Sequence, residues 1–151
     1  MQERPTARVV LLDPRGEVLL MRVAGQDPEL WVLIGGGIEP GETVLAAARR
    51  ELAEETGIVD AELGPVLWYG EQVLEFDGVP LLFRQHFVLA RCASRVLSDA
   101  GWTPEEREFV AEMRWWSVDE LATTPHTIVP RDLAALLRDG VPHEVRTIPL
   151  R

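Results

Sequence analysis

The chain has 151 residues, 46% of them hydrophobic, and a formal net charge of -10. That size suits one domain with a full core, residues 1–151, and the acidity excludes an extended nucleic-acid-coating surface, which would be basic. No apolar run is long enough to span a bilayer, the N-terminal MQERPTAR is polar, and the single cysteine, Cys92, permits no internal disulfide. A soluble cytoplasmic protein is the expectation, with no membrane partner and with a homodimer left open. Every cation is Arg rather than Lys, to which no function is attached.

In chain order, ARVVLL (7–12) reads as a buried strand, DPRG (13–16) as a turn, and Val18 to Val23 as the returning strand. The loop AGQDPEL leads to a short strand, Trp31-Val32-Leu33, and then to a glycine-rich turn from Gly35 to Gly41. The spacing predicts a helix from about Thr43 to Thr56, with Gly57 as its left-handed stop. Leu45, Ala48 and Leu52 form the expected core-facing stripe. Glu51, Glu54 and Glu55 fall at i, i+3 and i+4, so their carboxylates converge, with Arg50 beside them.

Three acids on one helical face oppose helix stability. Each like-charged pair costs roughly 0.2–0.5 kcal/mol, and acids in the last turn meet the negative end of the helix dipole for a further ~0.3–1 kcal/mol at an exposed site. An ordinary solvated face interleaves cations, so it accounts for neither the clustering nor the glycines. A divalent cation accounts for both: hard carboxylate oxygens suit Mg²⁺ or Mn²⁺, which also take waters and substrate phosphates.

Gly36, Glu42, Arg50, Glu51, Leu52, Glu54, Glu55, Gly57 and Ile58 follow the spacing Gly-x5-Glu-x7-Arg-Glu-aliphatic-x-Glu-Glu-x-Gly-aliphatic. This stretch resembles the Nudix box in every fixed position, an outcome expected by chance at well under ~10⁻⁸ per starting position at average residue usage. Ile34 stands where many family members have proline. Outside the box the chain is compatible with the family rather than diagnostic of it.

After the box, Val66 to Phe76 and Leu81 to Arg91 read as long strands joined at Asp77-Gly78. Alternation puts Arg84, His86 and Val88 on one face and Gln85, Phe87 and Leu89 on the other. Residues 94–107 read as a surface loop, Phe109 to Val118 as a strand, Val118 to Ala122 as a short helical turn, and Pro130 to about Arg138 as a helix ended by Gly140. The tail VPHEVRTIPLR is an edge strand or an extended arm.

The mixed element order fits an α/β layer fold, and the resemblance implies the Nudix α/β/α sandwich, a mixed sheet between helices. It further implies a metal-dependent pyrophosphohydrolase, in which activated water attacks phosphorus in the diphosphate bridge of a nucleoside diphosphate derivative. Glu51, Glu54 and Glu55 are then the expected ligands of Mg²⁺ or Mn²⁺, with the Gly35 carbonyl as a further one. Glu51 or Glu54 is the alternative general base, and Arg50 orients Glu51. Glu42 braces the junction of loop and helix. The resemblance also implies a downstream acid, for which Glu112 is the first candidate and Glu108 the second. Trp31 is the first candidate for stacking on the base, and Arg22 and Arg84 for the phosphates. His86 is read as structural or at the substrate's edge.

Subfamily markers for ADP-ribose or diadenosine polyphosphate hydrolases are missing where Val73, Leu74, Glu75 and Phe76 stand. Nucleoside triphosphates, ordinary or oxidised, are therefore the favoured small-molecule substrates. Two alternatives come from other classes. A non-catalytic nucleotide-sensing module is expected to have lost the box acids. A prenyl diphosphate isomerase is expected to hold a cysteine near the metal, which Cys92 does not match.

Overall fold

The computed structural model describes residues 1–151. Strand β1 (Gln2–Leu12) begins five residues before the predicted run of apolar side chains, and β2 (Val18–Val23) matches its expected span. Strand β3 (Leu30–Gly37) carries the first correction, because Gly35, Gly36 and Gly37 are its last residues rather than a turn. They pair with Arg8, Ala7 and Thr6 of β1. Glycine composition signalled a loop, but the neighbouring strand's backbone hydrogen bonds hold these residues extended.

Helix α1 (Val44–Thr56) is capped by the Thr43 hydroxyl, which accepts from the Ala46 N–H, and ends at Gly57 with φ 77°. Its buried side is a second correction. Leu45 is 44% exposed, whereas Ala47, Ala48, Glu51, Leu52 and Glu55 are buried. The helix is rotated so that its small residues pack on the sheet, and two of the three acids go inward with them.

Strands β4 (Glu62–Phe76) and β5 (Val79–Arg91) form the long hairpin, with Asp77 and Gly78 both at positive φ, as a tight two-residue turn requires. The expected surface loop hides helix α2 (Pro104–Phe109), which has a complete Thr103–Glu106 capping box. Then come β6 (Val110–Trp116), α3 (Val118–Thr123), a short β7 (Thr127–Val129), α4 (Leu133–Asp139) and β8 (Arg146–Thr147). Pro130 stands before α4 rather than in its first turn, and the tail supplies an edge strand parallel to β4.

The strand order is β6-β2-β3-β1-β5-β4-β8, with β7 beside β3. The first half of β3 pairs with β2 and its second half with β1. The sheet therefore changes partners at Leu33 to Gly35, where the acid-bearing helix arrives. One apolar cluster lies under α1 and includes Val9, Ile34, Ala48 and Leu52. The other lies on the opposite side, under α3 and α4, and includes Trp31, Trp116, Leu121 and Leu133. This is the expected mixed sheet between helices. Ile148 and Leu150 of the tail belong to the second cluster, and Leu150 sits against Gly70, where an added Cβ would come within 2.6 Å of it. No helix is long and apolar enough to cross a membrane.

Candidate active site

The Glu51, Glu54 and Glu55 side chains line one cavity of about 550 Å³ together with Gly35, Gly36 and Arg8. Local chemistry explains how they come together. The helix period puts the three acids on one side, and the pairing of Gly35 and Gly36 with β1 lays their backbone against that side. Gly36 has no room for a side chain, since a Cβ there would lie 2.5 Å from Glu51 Oε1. Gly35 is held from both sides. Its N–H donates to Glu55 Oε2 at 2.8 Å, and its carbonyl accepts from Arg8 Nη1 at 3.2 Å.

Arg50 organises the outer edge. Its Nε and Nη2 donate to the two oxygens of Glu42 at 2.8 and 2.9 Å, and its Nη1 donates to Glu51 at 3.0 Å and Glu54 at 3.4 Å. Nη2 also donates to the Gly37 carbonyl at 2.9 Å. The bidentate grip of Arg50, with the Glu39 N–H, holds Glu42 down at about 2. Glu42 thus ties the loop to the helix, and Arg50 fixes the direction of Glu51.

The inner carboxylates are poorly served. Burial pushes Glu51 above its ordinary range, offset by Arg50. Burial pushes Glu55 up to about 8; the Gly35 N–H and Arg8 work against this, and the charges of Glu51 and Glu106 add to it. A bound divalent cation would reverse that balance. The oxygen donors fit a hard ion: three carboxylates and the Gly35 carbonyl, in a recess open to water and phosphate. Their oxygens are spread, however, and no three acidic, His or Cys side chains are close enough together to hold an ion as they stand. Arg50 and the Gly35 N–H engage Glu51, Glu54 and Glu55, and these side chains would have to turn toward one another to hold an ion.

Four expectations are corrected by placement, since Trp31, Arg22, Arg84 and Glu112 do not line this cavity. Trp31 is 1% exposed and packs edge-on against Trp116, with ring centroids 5.0 Å apart, so it has no free face for a base. Arg22 and Glu112 are cross-strand partners with Nε to Oε1 at 2.8 Å, on the other face of β2 from the cavity-lining Met21 and Val23. Arg84 is on the solvent face of β5, donating to the Tyr69 hydroxyl at 2.7 Å and to Glu3 at 3.3 Å. His86 packs on Tyr69 on that same face.

The downstream acid that does line the cavity is Glu106 of α2. Glu108 does not line this cavity and borders a second recess that Glu106 shares. Glu106 arrives because the preceding loop is docked on the end of α1. Ser98 N–H donates to the Thr56 carbonyl at 2.8 Å and Trp102 Nε1 to the Glu55 carbonyl at 2.7 Å, satisfying carbonyls that the helix end leaves open. The signal was present in the sequence as Thr103-Pro104-Glu105-Glu106, a capping box hidden in an acid-rich stretch. Cys92 is buried beyond the end of β5, its thiol 3.5 Å from the Leu12 carbonyl and away from the cavity, so it offers nothing to isomerase chemistry.

A mixed sheet between helices, with this glycine strand and acidic helix at its centre, defines a protein class. The NUDIX domain model matches residues 2–137, and the chain belongs to the Nudix family. With it comes the expected enzyme class, hydrolases acting on phosphorus-containing acid anhydrides. Among its relatives, the chain is 36% identical over 141 residues to an RNA pyrophosphohydrolase of Caulobacter vibrioides, covering 85% of this chain and 78% of that one. It is 33% identical over 114 residues to a putative 8-oxo-dGTP diphosphatase 2 of Mycobacterium tuberculosis, covering 66% and 81%. In fold it is similar to the dihydroneopterin triphosphate pyrophosphohydrolase of E. coli, with a TM-score of 0.65 and 18% identity over 93% of this chain and 98% of that one.

Proposed function

We propose that this protein is a Mg²⁺- or Mn²⁺-dependent pyrophosphohydrolase of nucleoside 5′-triphosphates, ordinary or oxidised. The observation that carries the reading is the meeting of Glu51, Glu54 and Glu55 with Gly35 on the wall of a cavity large enough for one nucleotide. The metal, when bound, draws charge from the phosphate oxygens and makes its bound water a nucleophile. Glu51, Glu54 and Glu55 would hold it, with the Gly35 carbonyl and Glu106 as further oxygen donors. Arg50 fixes the direction of Glu51, and Glu51 or Glu54 would take the proton from the attacking water, their titrations coupled by proximity. Water attacks one phosphorus of the anhydride, the bridging P–O bond breaks, and the leaving phosphate or pyrophosphate departs with the bond's electron pair.

The names of the relatives favour a second substrate of the same chemistry, the triphosphorylated 5′ end of an RNA. The net charge of -10 is poorly matched to a long polyanion. Retention of every box acid counts against a purely binding module. The deciding experiment measures phosphate and pyrophosphate release with Mg²⁺ or Mn²⁺ from a panel of nucleoside triphosphates, an 8-oxo-purine triphosphate and a 5′-triphosphorylated RNA. Release from the free nucleotides is expected; release from RNA alone moves the assignment to the second substrate, and release from none removes it.

A further inference from the structure

The base-stacking surface expected at Trp31 is absent, yet the cavity continues from the glutamates along the β4–β5 hairpin to a differently built end. Its lining there includes Gln85, Phe83, Gln72 and Phe76. Gln85 is 6% exposed, and its Oε1 accepts from Arg8 Nε at 3.2 Å. A guanidinium can only donate, so this contact determines which way the carboxamide faces. The Gln85 amide nitrogen is left with both N–H groups free of protein partners, on a nearly buried side chain that lines the cavity. Beside it on the same face of β5 is Phe83, whose ring lies 5.9 Å from that of Phe76 at 47°. Phe76 is 53% exposed at the cavity's outer end.

We propose that this end is a nucleobase site in which Phe83 and Phe76 meet the face of the base and the Gln85 N–H groups read its edge. The assignment rests on the triphosphate reading above and deepens it by naming the base. Aromatic side chains of this kind take any base by its face. The edge contact is selective. The keto oxygen at C6 of guanine or C4 of uracil, where adenine and cytosine carry an amino group, accepts from Gln85. The exocyclic amino group of adenine or cytosine meets N–H with N–H and leaves buried donors unpaired, a loss of about tenfold or more. Arg8 is the positioning residue, because its hydrogen bond to Oε1 prevents the carboxamide from turning over to suit an amino base.

The test compares kcat/KM for GTP, UTP, ATP and CTP with Mg²⁺ in the wild type, Gln85→Glu and Phe76→Ala. The wild type should favour the keto bases about tenfold or more. In Gln85→Glu one carboxylate oxygen still accepts from Arg8 and the other faces the cavity as an acceptor, so the keto-to-amino ratio should collapse or invert. Phe76→Ala should raise KM for all four by a similar factor and leave kcat nearly unchanged. A wild-type ratio within about twofold of unity overturns the proposal without any variant, as does a folded Gln85→Glu with the wild-type ratio. Calorimetric binding of GMP against AMP in Mg²⁺ separates the two levels. If no triphosphate turns over but GMP is preferred, the triphosphatase reading fails and the base site stands; equal binding sinks the base site whatever the turnover.

Discussion

Asp13 and Glu55 are carboxylates on almost wholly buried residues, 4% and 5% exposed, and the protein serves them differently. Asp13 lies in the turn between β1 and β2, and its Oδ1 accepts from the backbone N–H groups of Arg15 and Glu17 at 2.9 and 2.8 Å. Its Oδ2 faces Arg95 Nε at 3.2 Å, and that guanidinium also holds Glu17 and lies 5.5 Å from the Trp115 ring centroid. Oδ1 is hydrogen-bonded twice, Oδ2 has a facing cation but no hydrogen bond, and the ion pair ties Arg95 to the turn. Glu55 has one backbone N–H and a distant cation, and shares its cavity with Glu51, Glu54 and Glu106. Both sites are buried and acidic, and only one is left short of positive charge. The shortfall, rather than burial, sets the Glu55 site apart.

The widest separation between these regions should come from chemistry. Glu54→Gln is expected to lower kcat by at least ~10³-fold while the thermal midpoint holds, since that side chain is exposed. Turnover within about tenfold of wild type would mean the cluster is ornamental. Asp13→Ala should do the converse, costing about 2–3 kcal/mol in urea unfolding with kcat per folded molecule unchanged. Smaller, and a test of which acid completes the site, Glu106→Gln is expected to reduce kcat about tenfold, whereas Glu112→Gln, which only breaks the cross-strand pair with Arg22, stays within about twofold.

The subtlest contrast lies in pH. The folded protein holds the Glu55 proton up to about 8, against an ordinary 4.5 when unfolded. The folded state therefore binds more protons between those values, and metal-free stability falls as pH rises across that window. Thermal midpoints should show this decline. Glu55→Gln should flatten it, and Mg²⁺ should stabilise most above the window. A midpoint that rises with pH in the metal-free protein would reverse the sign of the whole account.

What could be read from the residues was what they do locally. Helix period, the Thr43 cap, the Gly57 stop and the Asp77-Gly78 turn each act within a few positions, and each appears where its chemistry directs. The Nudix fold and enzyme class followed from the box. What escaped depends on pairing between distant segments. Alternation separated Arg84 from Gln85 but could not say which face of β5 met a cavity; that was decided by the parallel register with β1, which sets Thr6 beside Gln85 and leaves Arg8 in reach of it. Trp31 was misjudged because adjacency to the glycines says nothing about the second apolar cluster behind them. Leu45 was misjudged because the sheet accepts the smaller alanines more closely. Glu106 was overlooked because its approach requires the 98–103 segment to dock on a helix end far back in the chain.

Gly70 carries a consequence for the far wall of the cavity. Leu150 occupies the space its missing side chain vacates, and the last residue of the chain, Arg151, both borders the cavity and accepts at its backbone carbonyl from Arg131 at 3.1 Å. One methyl group at position 70 would act as a wedge beneath that strap, pressing on the Leu150 side chain. The wall that Arg151 borders thus depends on a space left empty on β4.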